Sequence, residues 1–158
     1  MSSVTEETAV VRELSIAARP ETVWEFLVDP DKVTRWMGIG ATMEPEPGGA
    51  YRLTVLSGNV ASGTFVEVDP PRRLVYTFGW EPGGVDGPGS AAGPGSTTVE
   101  FDLEPEGDGT RLRFVHRDLP NAEATAAHAH GWEHYLDRLA IAASGNDPGR
   151  DPWLDGQM

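Results

Sequence analysis

Residues 121–143 read NAEATAAHAHGWEHYLDRLAIAA, and the reading of the whole chain turns on them. At about 100° per residue, Thr125, His128, Trp132, Leu136, Leu139 and Ala143 share one face of a helix, with Tyr135 beside them. Leu119-Pro120-Asn121 supplies the start and Gly145 the stop. Only Gly131 interrupts, at a cost of roughly 1 kcal/mol relative to alanine. A glycine so placed is expected to admit another backbone or a large side chain. A long helix with one apolar face requires an apolar surface to cover.

That surface lies upstream. Ala9 to Ala17 reads as a strand offering Val11, Leu14 and Ile16 for burial. Pro20 opens a helix carrying Val23, Trp24, Phe26 and Leu27, which Asp29-Pro30 stops. A second short helix, Pro30 to Trp36, ends at Gly38. Strands then follow one another. Ala41–Glu46 is the weakest, closed by Pro47-Gly48-Gly49. Tyr51, Leu53 and Val55 alternate with Arg52 and Thr54 before the turn Ser57-Gly58-Asn59. Gly63–Asp69 and Arg73–Trp80 are separated by Pro70-Pro71. Val99, Phe101 and Leu103 form one face of the next strand, and Leu112, Phe114 and His116 one face of the last, after the turn Glu106-Gly107-Asp108-Gly109.

The domain is expected over 9–143, with a flexible start at 1–8 and a flexible tail at 144–158 in which Trp153-Leu154 is able to dock on the body. The loop 81–96, EPGGVDGPGSAAGPGS, has six glycines and three prolines and too little apolar surface to offset the entropy of ordering it. It lacks the lysine of a phosphate-binding loop, and an entry flap or plain variable loop is the better reading.

At 158 residues the chain is one domain's worth, long enough to bury a core. Its 25 acidic against 12 basic residues, net −13, argue against nucleic acid and against anionic membranes as partners. Without cysteine there is no disulfide framework, thiolate metal site or cysteine nucleophile. The start MSSVTEETAVV has neither the basic residues nor the apolar run of a signal peptide, so a cytoplasmic location is expected. Lys32 is the only lysine, a composition that hints at a GC-rich bacterium.

Strand, two short helices, six strands and a long final helix together resemble the helix-grip fold of the START-like, or SRPBCC, proteins typified by the birch-pollen allergen. Ala18-Arg19-Pro20-Glu21-Thr22-Val23-Trp24, Asp29-Pro30, Arg35-Trp36, the run Gly63 to Leu74, Gly109-Thr110-Arg111-Leu112 and Gly131-Trp132 resemble the branch related to activators of the heat-shock chaperone ATPase. The resemblance covers roughly residues 9–143. It implies an α+β fold in which a curved antiparallel sheet of six to seven strands wraps the long C-terminal helix, with an apolar cavity between them. Binding of a small apolar or amphipathic molecule there is the expected function. A protein-interaction, co-chaperone-like module and a cyclase- or hydratase-type enzyme are the alternatives. Fold alone does not choose among them.

The expected ligand-binding residues are Trp36, Met37, Tyr51, Tyr76, Phe78, Trp80, Phe101, Phe114, His116, His128, Trp132 and Tyr135. Most such aromatics serve as core, while tyrosine and tryptophan also offer a polar end for orienting a ligand. His116 and His128 face inward by periodicity, either as satisfied core histidines or as orienting or acid–base groups. His130 and His134 match H-x-x-E-H but lie about 160° from Trp132, away from the core, so no metal site and no cofactor is expected. Ile141, opposite Trp132, is a seed for a homodimer or partner contact.

Overall fold

Pro20 and Pro30 each open a helix because proline's fixed φ suits the first turn, where its missing N–H removes no bond. In the computed structural model, which describes residues 8–56, 58–82 and 95–156, they begin α1 (Pro20–Val28) and α2 (Pro30–Trp36). Asp29 serves both: its backbone N–H closes α1 on Glu25, and its carboxylate accepts from Asp31 N at 3.0 Å to cap α2. Asn121 does the same for the long helix α3 (Ala122–Ala143), accepting from Ala124 N at 2.8 Å.

Seven strands complete the body: β1 (Val10–Ile16), β2 (Gly40–Met43), β3 (Ala50–Leu56), β4 (Asn59–Asp69), β5 (Arg73–Trp80), β6 (Thr97–Glu106) and β7 (Gly109–Arg117). They form one antiparallel sheet in the order β1-β7-β6-β5-β4-β3-β2. This is the helix-grip arrangement, with the strands after β1 running as a meander and β1 closing on β7. β4 starts at Asn59, four residues earlier than its alternation signals, because Asn59 to Ala61 pair with β3. β2 is shorter than expected, since beyond Met43 the chain turns back through Gly49, whose backbone approaches the Glu44 carbonyl closely.

The inner face carries Tyr51, Leu53, Phe65, Leu74, Tyr76, Phe78, Val99, Phe101, Leu112 and Phe114, all buried. α1, α2 and the Trp132 face of α3 cover it. The outer face is held by charge. Arg73 reaches Glu67, Glu100 and Asp102, and Glu100 is shared with Arg117. Arg73 and Arg117 hold the Glu100 carboxyl below its ordinary range even though half-burial opposes this.

Two glycines of the sequence motifs behave oppositely. A Cβ on Gly63 would meet the Thr77 carbonyl oxygen at 2.1 Å, so the β4–β5 crossing requires glycine there. A Cβ on Gly131 would meet nothing within 4 Å. The expected close neighbour at Gly131 is absent among the described residues. Most of the expected flexible loop, 83–94, and residues 1–7 of the N-terminus lie outside the described residues. No described helix is long and apolar enough to cross a membrane.

Candidate functional site

α2 ends in Trp36 and Met37, both buried. The Trp36 indole donates to Phe26 O at 2.8 Å, which fixes the end of α2 against α1. Beneath them lies an enclosed void of about 10 Å³, room for one water. Its walls are Leu27, Val33, Trp36 and Met37 from the helices and Met43, Tyr51, Leu53, Phe65, Tyr76, Phe78 and Phe101 from the sheet. Tyr51 and Tyr76 meet edge to face at 4.8 Å, and Tyr51 Oη donates to Thr77 O at 2.7 Å. Burial raises both tyrosine hydroxyls well above their ordinary value.

Six of the expected residues therefore meet at this void: Trp36, Met37, Tyr51, Tyr76, Phe78 and Phe101. Trp80, Phe114, His116, His128, Trp132 and Tyr135 are not among its walls. The void lies under the two short helices rather than under α3, because Trp132 fills the space there. Its ring sits 4.5 Å from Phe114 and 6.0 Å from Phe78.

Trp80, Phe114, His116, His128 and Trp132 form a second cluster in which each imidazole is bound by an indole. Thr97 Oγ1 has one hydrogen and donates it to Phe78 O at 2.6 Å, so toward His116 Nε2, at 2.7 Å, it accepts. His116 thus carries its proton on Nε2, and its Nδ1 lone pair accepts from the Trp132 indole at 2.9 Å. His128 has the opposite tautomer. Its Nδ1 donates to Ala124 O at 2.8 Å, and its Nε2 accepts from the Trp80 indole at 3.0 Å. The two rings meet edge to face at 5.1 Å. Burial, with His128 adding to it, holds His116 well below the usual imidazole range. Burial likewise lowers His128, against a smaller opposing effect of the Ala124 carbonyl. Both are neutral, and every ring nitrogen is engaged.

His130 and His134 hold the tail. Trp153 stacks on His134 at 3.8 Å and 6° and lies 5.2 Å from His130. Asp151, buried, bonds His134 Nε2 at 2.8 Å and accepts from Trp153 N at 2.9 Å, starting the 3-10 turn Pro152–Asp155. Among the described residues no three His, Asp or Glu side chains are grouped to hold a metal ion. Tyr135 lies beside this cluster, 5.4 Å from Trp153, with its hydroxyl buried near Asp151. Burial first, and the nearby Asp151 second, raise that hydroxyl above its ordinary range.

Sequence reasoning missed two parts. Leu27, Val33, Met43, Leu53 and Phe65 wall the void, and their signals were present: Val33 precedes Trp36 and Met37 by three and four residues, and Leu53 shares the face of Tyr51. Arg138 is the second. Its guanidinium donates to the carbonyls of Trp36 (3.1 Å) and Arg35 (3.4 Å) at the end of α2, and to those of Pro148 (3.3 Å) and Gly149 (2.9 Å) in the tail. No local pattern marks that role.

Residues 17–144 match the family described as Activator of Hsp90 ATPase homolog 1-like protein. The AHSA1-like protein from Rhizobium etli is 48% identical over 92% of this chain and 87% of its own, with a TM-score of 0.70. CalU16 from Micromonospora echinospora is 29% identical, covering 86% of this chain and 76% of that one, with a TM-score of 0.67. The Aha1 protein of Colwellia psychrerythraea, whose solution structure is a dimer, shares the fold at 18% identity and a TM-score of 0.70, over 90% of this chain and 98% of that one. Among curated proteins there is no match.

Proposed function

Starting from a chain that belongs to the Activator of Hsp90 ATPase homolog 1-like family, we propose that it binds a small apolar or amphipathic molecule at the void beneath α1 and α2. One observation carries this reading: the void is enclosed and its walls are adaptable where they face the short helices. Met37 at the end of α2 and Met43 in β2 both line it, and methionine repacks around differently shaped contacts at low cost. With room for one water, the void is the closed form, and the ligand enlarges it by moving those side chains. Tyr51 and Tyr76 supply the polar ends that orient what enters.

The histidine pair supports a structural role instead. For His116 or His128 to act as a base, an indole donor has to leave first, exposing a buried lone pair. That cost weakens the cyclase- or hydratase-type reading.

Titration with decanol, followed by tryptophan fluorescence and thermal unfolding, tests the proposal. Saturable binding with stabilisation of about 2.7 kcal/mol at a hundredfold excess over Kd is the expected result. Val33→Leu adds one carbon, about the free volume of the void, from α2, and weakened decanol binding with retained folding is expected. Decanol binding that is unaltered in Val33→Leu would overturn the assignment to this void.

A further inference from the structure

Trp36 and Met37 belong to two concavities at once. Both line the buried void, and both line a groove of about 440 Å³ between the end of α2 and the tail. That groove is also lined by Arg35, Arg138, Arg150 and Leu154. Three of the chain's 12 basic residues thus border one groove in a molecule with 25 acidic residues. Of these three, Arg150 is paired with Asp155 at 3.1 Å, as Lys32, Arg52, Arg72, Arg73, Arg111 and Arg117 are each paired with a carboxylate elsewhere. Among the described residues, Arg35 and Arg138 reach no carboxylate, and neither do Arg12, Arg19 and Arg113, but only Arg35 and Arg138 share a groove.

The bonding around the groove sharpens this. Arg138 is anchored by four backbone carbonyls, which orient its guanidinium without neutralising it. Arg35 is exposed in the last turn of α2 and its guanidinium makes no hydrogen bond among the described residues. The one buried acid of the groove, Asp151, is already occupied by His134 and by Trp153 N. The groove therefore holds two cations with no carboxylate partner, Arg35 and Arg138, beside the Asp151 carboxylate, and Trp36 and Met37 line both the groove and the void.

We propose that the ligand is an anionic amphiphile, a single carboxylate on an apolar body, with its head in the groove between Arg35 and Arg138 and its body entering the void past Met37. This rests on the reading of the void as a ligand site and names the chemical class that it takes. A net charge of −13 repels anions at long range, so selection for a carboxylate has to come from these local cations. Trp36 is fixed by its bond to Phe26, which leaves Met37 as the side chain that yields.

The test compares decanoate with decanol on the full chain by calorimetry at fixed ionic strength. Decanoate is expected to bind about tenfold or more tightly. Arg35→Gln, an exposed change, is expected to shrink that preference to about threefold or less and to leave decanol binding and Tm unaltered. Arg138→Gln is expected to do the same, with a lower Tm because it frees four carbonyls; Arg35→Gln keeps the test independent of that loss. Equal affinity for the two ligands, or a preference that survives Arg35→Gln, overturns the carboxylate site while leaving the void as a binding site. Failure of both ligands to bind overturns both proposals.

Discussion

The Trp132 indole donates its hydrogen to His116 Nδ1 at 2.9 Å, joining the central residue of α3 to the inner face of β7. This bond, rather than apolar contact alone, sets which imidazole nitrogen is protonated and where the helix sits along the sheet. It is buried at both ends, His116 being fully inaccessible. A buried partner left without its bond costs about 1–3 kcal/mol.

Trp132→Phe keeps an aromatic ring but removes the donor. Urea unfolding is expected to show a loss of about 2–4 kcal/mol, combining the orphaned Nδ1 with the missing ring volume. Replacing His116 with leucine in the Trp132→Phe background should recover part of that loss, since both polar ends are then gone. A double variant no more stable than Trp132→Phe would contradict this account.

Both buried histidines are held below their ordinary pKa, so the unfolded chain binds protons more readily than the folded one. Stability is then fully present above the unfolded value, about 6.5, and falls as pH drops below it. The slope is up to about 1.4 kcal/mol per pH unit for each histidine in the interval between its folded and unfolded values. Glu100, also lowered, adds its own loss only in the more acidic carboxylate range. Denaturant titrations at several pH values check this, and His128→Gln should flatten the dependence near pH 6.

Gly131→Ala is expected to stabilise the protein by about 0.5–1 kcal/mol, because the new methyl enters open space on a helix. Gly63→Ala should destabilise it by more than 2 kcal/mol, since the methyl would strike the Thr77 carbonyl across β4 and β5. Thermal unfolding of the two variants should move in opposite directions.

Trp153→Ala removes the ring that stacks on His134 and leaves Asp151 capping a turn with no anchor. Amide exchange across residues 146–156 is expected to accelerate, with a global loss of only about 1 kcal/mol. The carbonyls of Pro148 and Gly149 hold Arg138, so exchange at the Met37 amide should rise as well. Unchanged exchange at Met37 would show that the tail and α2 are not linked through Arg138.

Much of the fold was readable from local pattern. The strand bearing Tyr51 and Leu53, the paired short helices opened by Pro20 and Pro30, and the Trp132 face of α3 stand where the sequence places them. Half of the expected ligand residues meet at the void, because Trp36 and Met37 end α2 and Tyr51, Tyr76, Phe78 and Phe101 lie on the part of the sheet beneath it. Of the others, Trp80, Phe114, His116 and His128 group with Trp132, and Tyr135 packs against the tail. Periodicity tells that both groups point inward but not which of them leaves space.

The order of elements and the inward face of each were written in the chain itself, since spacing of two or of three to four residues is a property of neighbouring positions. Only the tertiary structure decided that Thr97 faces Phe78 and His116 together, that two indoles lock two imidazoles into opposite tautomers, and that Arg138 joins α2 to the tail. These depend on register and helix placement across tens of residues. The void depends on more still: it is the small difference between the space enclosed by sheet and helices and the volume of the side chains that fill it.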